Sequence, residues 1–485
     1  MMQRKLIAAL VKVIMGFLSV IVFHVNYAES SYPSPSTHGS SSQDPVRRMA
    51  LMKSSLLTLR TVAASGPQGS SSSSSRVLHA TEYGADPTGI SDSTEALQQA
   101  ISDVFISPIE GAHLMEGIAD LGGSQLHLDG GTYKISRPLR LPDTTGAGNF
   151  MVHGGSLLAS DDFPTDGYLI ELWSKPSTSM YEDITLKDLM LNSNFRGGGI
   201  AVINSLRTTI DNCYISRFTS NGILIQGGHE TYVRNSFIGQ HINVGGDHGE
   251  KNFTGVGINI NGNDNSITDV VIFSAEIGIL VQGQANIFTG VHCYNKATGW
   301  GGIGIHLRSP GLTQTRILNC YFDFTGIVAE DPVQLHISGS FFLGNAFVMI
   351  KSLKGVISGL TIVDNMFSGD YTGVPIVQFD QSNGQYFTTI DQVVVDRNVV
   401  RGMILKSTVA KGSKWSNGTT WTIDFSKVLL FPNLIQNVQY TLQATAAFPY
   451  HILRNVSHNC VTVESDVPVS ATLHVSVDQS MLGYV

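Results

Sequence analysis

The chain has 485 residues, of which 42% are hydrophobic and 14% charged, which supports a large core and excludes disorder for most of its length. Its formal net charge of −8 argues against nucleic acid as the main partner. Four cysteines without any CxxC spacing (Cys213, Cys293, Cys320, Cys460) speak against a zinc site or a disulfide-built fold, leaving one or two bridges open.

The chain opens "MMQRKLIAALVKVIMGFLSVIVFHVNYAES", with Arg4 and Lys5 before a long apolar run that ends in small residues. That is the arrangement of a secretory signal peptide over 1–29. A membrane anchor is the competing reading, because the run approaches spanning length, but Lys12 interrupts it. Residues 30–76 are Ser-rich and low in complexity, and read as a processed or flexible segment. Sequons at Asn252, Asn417 and Asn455 agree with export, although each alone is a weak signal.

The next stretch, "YGADPTGISDSTEALQQAI" from Tyr83 to Ile101, passes abruptly from turn residues to a helical period. Asp92 or Ser93 is the expected N-cap, with Ala96, Leu97, Ala100 and Ile101 on one apolar face. The preceding "YGADPTG" then reads as a turn between a first strand and a capping helix.

From about 184 to 400 two patterns alternate. One is Gly-apolar-x-apolar, as in "NGILIQ", "VGININ", "IGILVQ", "IGIHLR" and "TGIVAE"; the other follows after roughly ten residues, as in "IDNCYI", "VRNSFI", "ITDVVI" and "ILNCYF". Copies recur mostly 20 to 35 residues apart. A short repeat of small strands is the signature of a right-handed parallel β-helix, whose coils stack at about 4.8 Å per rung because none buries its apolar face alone. A leucine-rich repeat lacks its consensus here, a propeller needs four strands per repeat, and a β-sandwich would not keep the Gly-Ile register. The β-helix is assigned to 77–402, and 403–485, with "WTIDFSKVLLFP" and "HNCVTVES", to a β-rich extension covering its C-terminal end.

In this register the apolar positions face inward and the intervening ones outward. Cys213 and Cys320 fall in one inward slot and read as stacked core residues. The outward pairs are Leu224 and Gln226, Asn259 and Asn261, Leu280 and Gln282, His306 and Arg308, then Val328 and Glu330. Amides, cations and a carboxylate aligned along one outer sheet suggest a polysaccharide groove.

The opening "YGADPTG…D-S-T-E-A-L-Q-Q-A" followed by "LHLDGGTYKIS" resembles the start of the pectin-lyase-like β-helix superfamily. The segments "NCYFDFTGIVAEDP" and "SGSFFLGNAF" further resemble plant polygalacturonases of the QUARTET type, which act on pectin in the walls around developing pollen. The likeness spans roughly 78–480. It implies hydrolysis of α-1,4-galacturonosyl bonds in de-esterified pectin, with no metal and no organic cofactor, by a secreted monomer of the cell wall. The fold alone does not settle the chemistry, since hydrolases, lyases and phage tail proteins share it.

Glycoside hydrolysis normally needs two carboxyl groups flanking the bond. The resemblance implies aspartates or a histidine two residues before each strand isoleucine, but this chain has Asn221, Val256, Ile277, Ile303 and Thr325 there. The family's catalytic aspartates therefore do not transfer. "GIHLRS" places His306 and Arg308 where the family has its Arg-Ile-Lys, and an arginine there suits a galacturonate carboxylate. Glu276 and Asp323 stand beside the vacated slots, two rungs apart with His306 and Arg308 between, and are the expected catalytic pair. Glu330, Asn261 and Trp300 complete the expected substrate contacts, Trp300 as a stacking platform. Asp247, His248 and Glu250 in "GGDHGEKN" form a further polar cluster. Two other readings remain: a calcium-dependent pectate lyase using clustered carboxylates and an arginine base, and a β-helix that binds wall polysaccharide without cleaving it. The negative net charge opposes steering of a polyanion, so a local basic patch of Arg308, Lys296, Arg316 and histidines is expected.

Overall fold

The computed structural model describes residues 76–106, 111–142, 146–174, 181–241, 249–445 and 448–480. The expected leader at 1–29, nearly all of the Ser-rich segment, and Asp247 and His248 lie outside the described residues. The rest is a right-handed parallel β-helix with three faces, followed by an antiparallel sheet.

The first face is a ten-stranded parallel sheet running from Leu139–Arg140 to Val377–Asp380. In its middle lie Asn221–His229, Val256–Asn263, Ile277–Val281, Ile303–Leu307 and Ile327–Glu330. The strand isoleucines Ile223, Ile258, Ile279, Ile305 and Ile327 are register partners from rung to rung and are fully buried. The glycine before each isoleucine has a steric cause. A Cβ on Gly257 would lie 2.5 Å from the carbonyl oxygen of Gly278, and one on Gly278 equally close to that of Gly304. The Gly-Ile pattern is thus the imprint of coils stacked backbone against backbone.

The second and third faces are carried on short strands such as Arg316–Leu318 and Tyr321–Asp323. Nearer the N-terminus they are joined through Gly146–Ala159 and Tyr181–Asn192, long strands that take part in both faces. Between these faces each coil turns on one left-handed residue: Asn212, Asn235, Asp269, Gly290, Asn319, Gly339, Asp364 and Arg397. Asparagine, aspartate and glycine tolerate that conformation best, which explains why the second repeated pattern reads "DNCYI" or "RNSFI". The next residue points inward, and Cys213 and Cys320 occupy that slot, fully buried. Burial pushes both thiols up to about 12, so they are inert core groups. All four cysteines are free.

The interior corners also carry asparagine ladders. Asn286 accepts from both the backbone N–H and the side-chain amide of Asn265, and donates to the Gly262 carbonyl. Replacing Asn286 with Ala leaves buried donors without an acceptor. The expected cost is about 1–3 kcal/mol, read from the urea midpoint.

The helix Thr94–Ile106 (α1) buries Thr94, Leu97, Ala100, Ile101, Val104 and Phe105 against the first coils. Its N-cap is Ser93, whose carbonyl accepts from Leu97, while the Asp92 carboxylate accepts the Thr94 N–H. The turn before it hangs on Asp86, which accepts from the backbone of Thr88, Ile90 and Ser91 and from the Thr88 hydroxyl. These hydrogen bonds, the Thr88 hydroxyl first, hold the Asp86 carboxyl far below its ordinary 3.8. Because the unfolded chain takes up that proton first, the stabilisation is present above the ordinary value and is lost as pH falls below it. Asp86→Asn should therefore flatten the acid limb of a melting-temperature profile taken from pH 5 to pH 2.

Beyond Arg401 the strand Cys460–Asp478 lies at the centre of an antiparallel sheet, pairing with Val409–Asp424, Asn437–Ala444 and His451–Ser457. This sheet has its own core around Trp421, Val463 and Leu473. Leu430 and Phe431, by contrast, join the β-helix core, and Phe431 stacks on Phe379 of the last first-face strand at 5.4 Å. The Phe431 carbonyl accepts from Asn459 and Gln479, so the aromatic that closes the final coil is held by the sheet.

Candidate active site

The outward residues of the first face form two columns. One runs through Leu224, Asn259, Leu280, His306, Val328 and Met349 in continuous register. The other includes Gln226 and Asn261, then Glu330, Lys351 and Asp380. Asn261 is exposed, and Gln282 reaches back to the Asn259 side chain at 3.2 Å.

The structure brings His306 and Glu330 together, with Nε2 3.2 Å from a Glu330 oxygen. That same oxygen lies 3.7 Å from the Lys351 ammonium. Glu330 is only 7% exposed although its slot faces outward, so its carboxylate serves its neighbours before it can serve a ligand. Burial holds the His306 imidazole below its usual pKa, against the upward pull of Glu330. Its Nδ1 is buried without a hydrogen-bond partner. Arg308 projects from the rung before Glu330 and is exposed.

Glu276 opens the strand Ile277–Val281 at the corner between the third and first faces. The Asn295 amide fixes this corner by donating to the carbonyls of Ala275, Glu276 and Ile303. The buried Lys296 ammonium bonds a Glu276 oxygen and the Phe253 carbonyl, each at 3.2 Å. Glu250 accepts the Ala297 N–H, so it belongs to this corner as well. Trp300 sits on the following short turn, Thr298–Trp300, and is 54% exposed.

Asp323 ends the third-face strand Tyr321–Asp323. One of its oxygens lies 3.0 Å from His292 Nε2, and the other is buried with no hydrogen-bond partner. Glu276 and Asp323 therefore flank one edge of the first face from two different faces. Their two-rung offset, about 9–10 Å along the axis, is only the axial part of their separation.

The expected basic patch is dispersed. Arg308 projects from the first face, Lys296 is buried in its ion pair, and Arg316 lies on the second face. There, with His336, Gln314, Gln334 and Gln392, it lines a groove of about 1110 Å³.

A family model described as rhamnogalacturonase A/epimerase, pectate lyase-like matches residues 77–322. The chain belongs to this pectate-lyase-like family. Polygalacturonase QRT3 of Arabidopsis thaliana is 56% identical over 477 residues, which are 97% of this chain and 98% of that protein. Among solved structures, the Streptococcus pneumoniae surface adhesin PfbA superposes with a TM-score of 0.50 at 14% identity, over 70% of this chain and 90% of that one. That likeness shows the fold alone.

Within this family member, three functional candidates escaped the sequence reading. Lys351 and Asp380 extend the Glu330 column, but "FVMIKS" and "PIVQFD" have lost the Gly-Ile pair that marked earlier strands. The alternation Val-x-Ile-x and Val-x-Phe-x is the signal that points both outward. His292 stands in "VHCYNK", where the Asn-Cys pair of other copies is displaced.

Proposed function

We propose that the protein is a secreted polygalacturonase of the plant cell wall, hydrolysing α-1,4-galacturonosyl bonds of de-esterified pectin without metal or organic cofactor. The near-full-length identity to a protein named polygalacturonase carries this reading. In support of secretion, all three sequon asparagines are exposed. The C-terminal sheet at 403–485 covers the last coil, and the protein acts as a monomer.

The polyuronate chain lies along the first face, its carboxylates met by Arg308 and Lys351 on either side of the half-buried His306, and a sugar ring rests on Trp300. As general acid, the Asp323 carboxyl donates a proton to the glycosidic oxygen as the bond to the anomeric carbon breaks. Glu276 takes a proton from the attacking water, whose oxygen forms the new bond. His292 holds Asp323 in place, and Lys296 holds Glu276. Glu330 is a positioning residue that orients His306. Arg308→Ala should raise KM by roughly ten- to a hundredfold with kcat little changed, since a charge-assisted contact contributes about 1.5–3 kcal/mol to binding.

Product analysis on polygalacturonate, with and without a calcium chelator, tests the reading. Reducing ends without an ultraviolet-absorbing product, insensitive to chelation, support it. An absorbing, calcium-dependent unsaturated product makes the protein a lyase. Binding with no product at any pH from acidic to neutral makes it a wall-polysaccharide-binding protein.

A further inference from the structure

At the N-terminal end of the second face, the strands Val77–His79, Ile118–His127 and Gly146–Ala159 pair in parallel, so that His79, His127 and His153 occupy one outward slot on three consecutive rungs. The first two converge on one carboxylate. His79 Nδ1 and His127 Nδ1 lie 2.6 and 2.7 Å from the same Asp129 oxygen. Asp129 adopts a left-handed backbone with φ of 50°, in the turn "LDGG" directly after the His127 strand. Two Nδ1 atoms and one carboxylate oxygen, all within 4.8 Å of one another, form a ligand set. It lies outside the corner where glycoside chemistry is proposed, and neither the mechanism nor the fold repeat calls for it.

We propose that His79, His127 and Asp129 bind a divalent transition-metal ion of the zinc class, which clips the first coil to the second. Two imidazoles with one carboxylate suit zinc, nickel or copper rather than calcium, which takes six or more oxygens. Zinc bonds of about 2.0–2.1 Å put tetrahedral donors roughly 3.3 Å apart, so small side-chain rotations from the hydrogen-bonded arrangement complete the site, with water as fourth ligand. Each Nδ1 gives up the hydrogen it donates to Asp129 and carries it on Nε2 instead. The His127 ring has room for this, since its Nε2 lies against Gly154, where a Cβ would come within 3.0 Å. His153 stays outside the set, with Nε2 turned to the Gln125 side chain at 3.0 Å. The ion would join positions 50 residues apart and secure a first strand of only three residues, Val77–His79.

The test is titration of metal-stripped full-length protein with zinc chloride by calorimetry, with melting temperature followed in parallel. One ion per chain and a rise of several degrees are expected. His79→Ala/His127→Ala should lose both, His153→Ala should keep both, and hydrolysis at 25 °C should be unchanged in either. Histidine-selective acylation of the wild type, read by mass spectrometry, removes dependence on the variants folding: zinc should protect His79 and His127. The proposal is overturned if zinc raises no melting temperature, if one-to-one binding persists in the double variant, or if neither histidine is protected.

Discussion

Asp323→Asn is expected to lower kcat on polygalacturonate by about 10²–10⁴-fold, the range that a positioned general acid contributes. Asparagine keeps the shape and can still meet His292, whereas it has no proton to give the leaving oxygen. KM should move only a few-fold, because the carboxyl's contribution is to the transition state. Glu276→Gln should lose activity to a similar degree. It also leaves the buried Lys296 without its carboxylate, so circular dichroism and the Glu276→Asp variant must accompany it. Loss of less than threefold in both variants would remove this pair from the chemistry. Attention would then pass to Glu330 and Asp380, which stand two rungs apart in one column on either side of Lys351.

Phe342→Ala should be among the most destabilising single changes available, costing about 3–5 kcal/mol. Phe342 is sandwiched in the interior between Phe322 at 4.8 Å and Phe367 at 4.4 Å, with near-parallel rings on three successive coils. Truncation opens a cavity and also breaks two ring contacts, each worth about 0.5–1.5 kcal/mol beyond burial. The coils cannot slide together to fill the gap, because their spacing is set by backbone hydrogen bonds. The drop should appear as a lower denaturant midpoint. A cost under 1 kcal/mol would mean that the stack relaxes far more than its hydrogen-bonded rungs suggest.

The fold was readable because the coil imposes a residue type at each of two recurring points. Close backbone approach demands glycine before the strand isoleucine, and the second corner demands a left-handed residue. Both leave letters in the chain. A helix start at Asp92 or Ser93 and the apolar face of α1 were legible for a similar reason, since helix starts have local chemistry. The site was less legible. Asp323 and Glu276 carry no sequence mark telling which face each belongs to, and their partners His292 and Lys296 lie 31 and 20 residues away. Glu330 reads as an exposed outward residue, yet its neighbours His306 and Lys351 bury it. Pairings across rungs depend on side-chain reach, which a repeat pattern does not encode.

The left-handed corner has a bearing on how such a molecule changes in size. Every coil turns at the same backbone angle and offers the next one the same row of hydrogen-bonding groups, so a rung neither knows nor needs its ordinal place. A duplicated or deleted stretch preserves the stack only when it amounts to a complete turn. Half a turn would send the next strand's apolar side into water. The length of the protein, and with it the span of the sugar chain it can hold, is therefore quantised, and grows or shrinks by whole circuits of the axis.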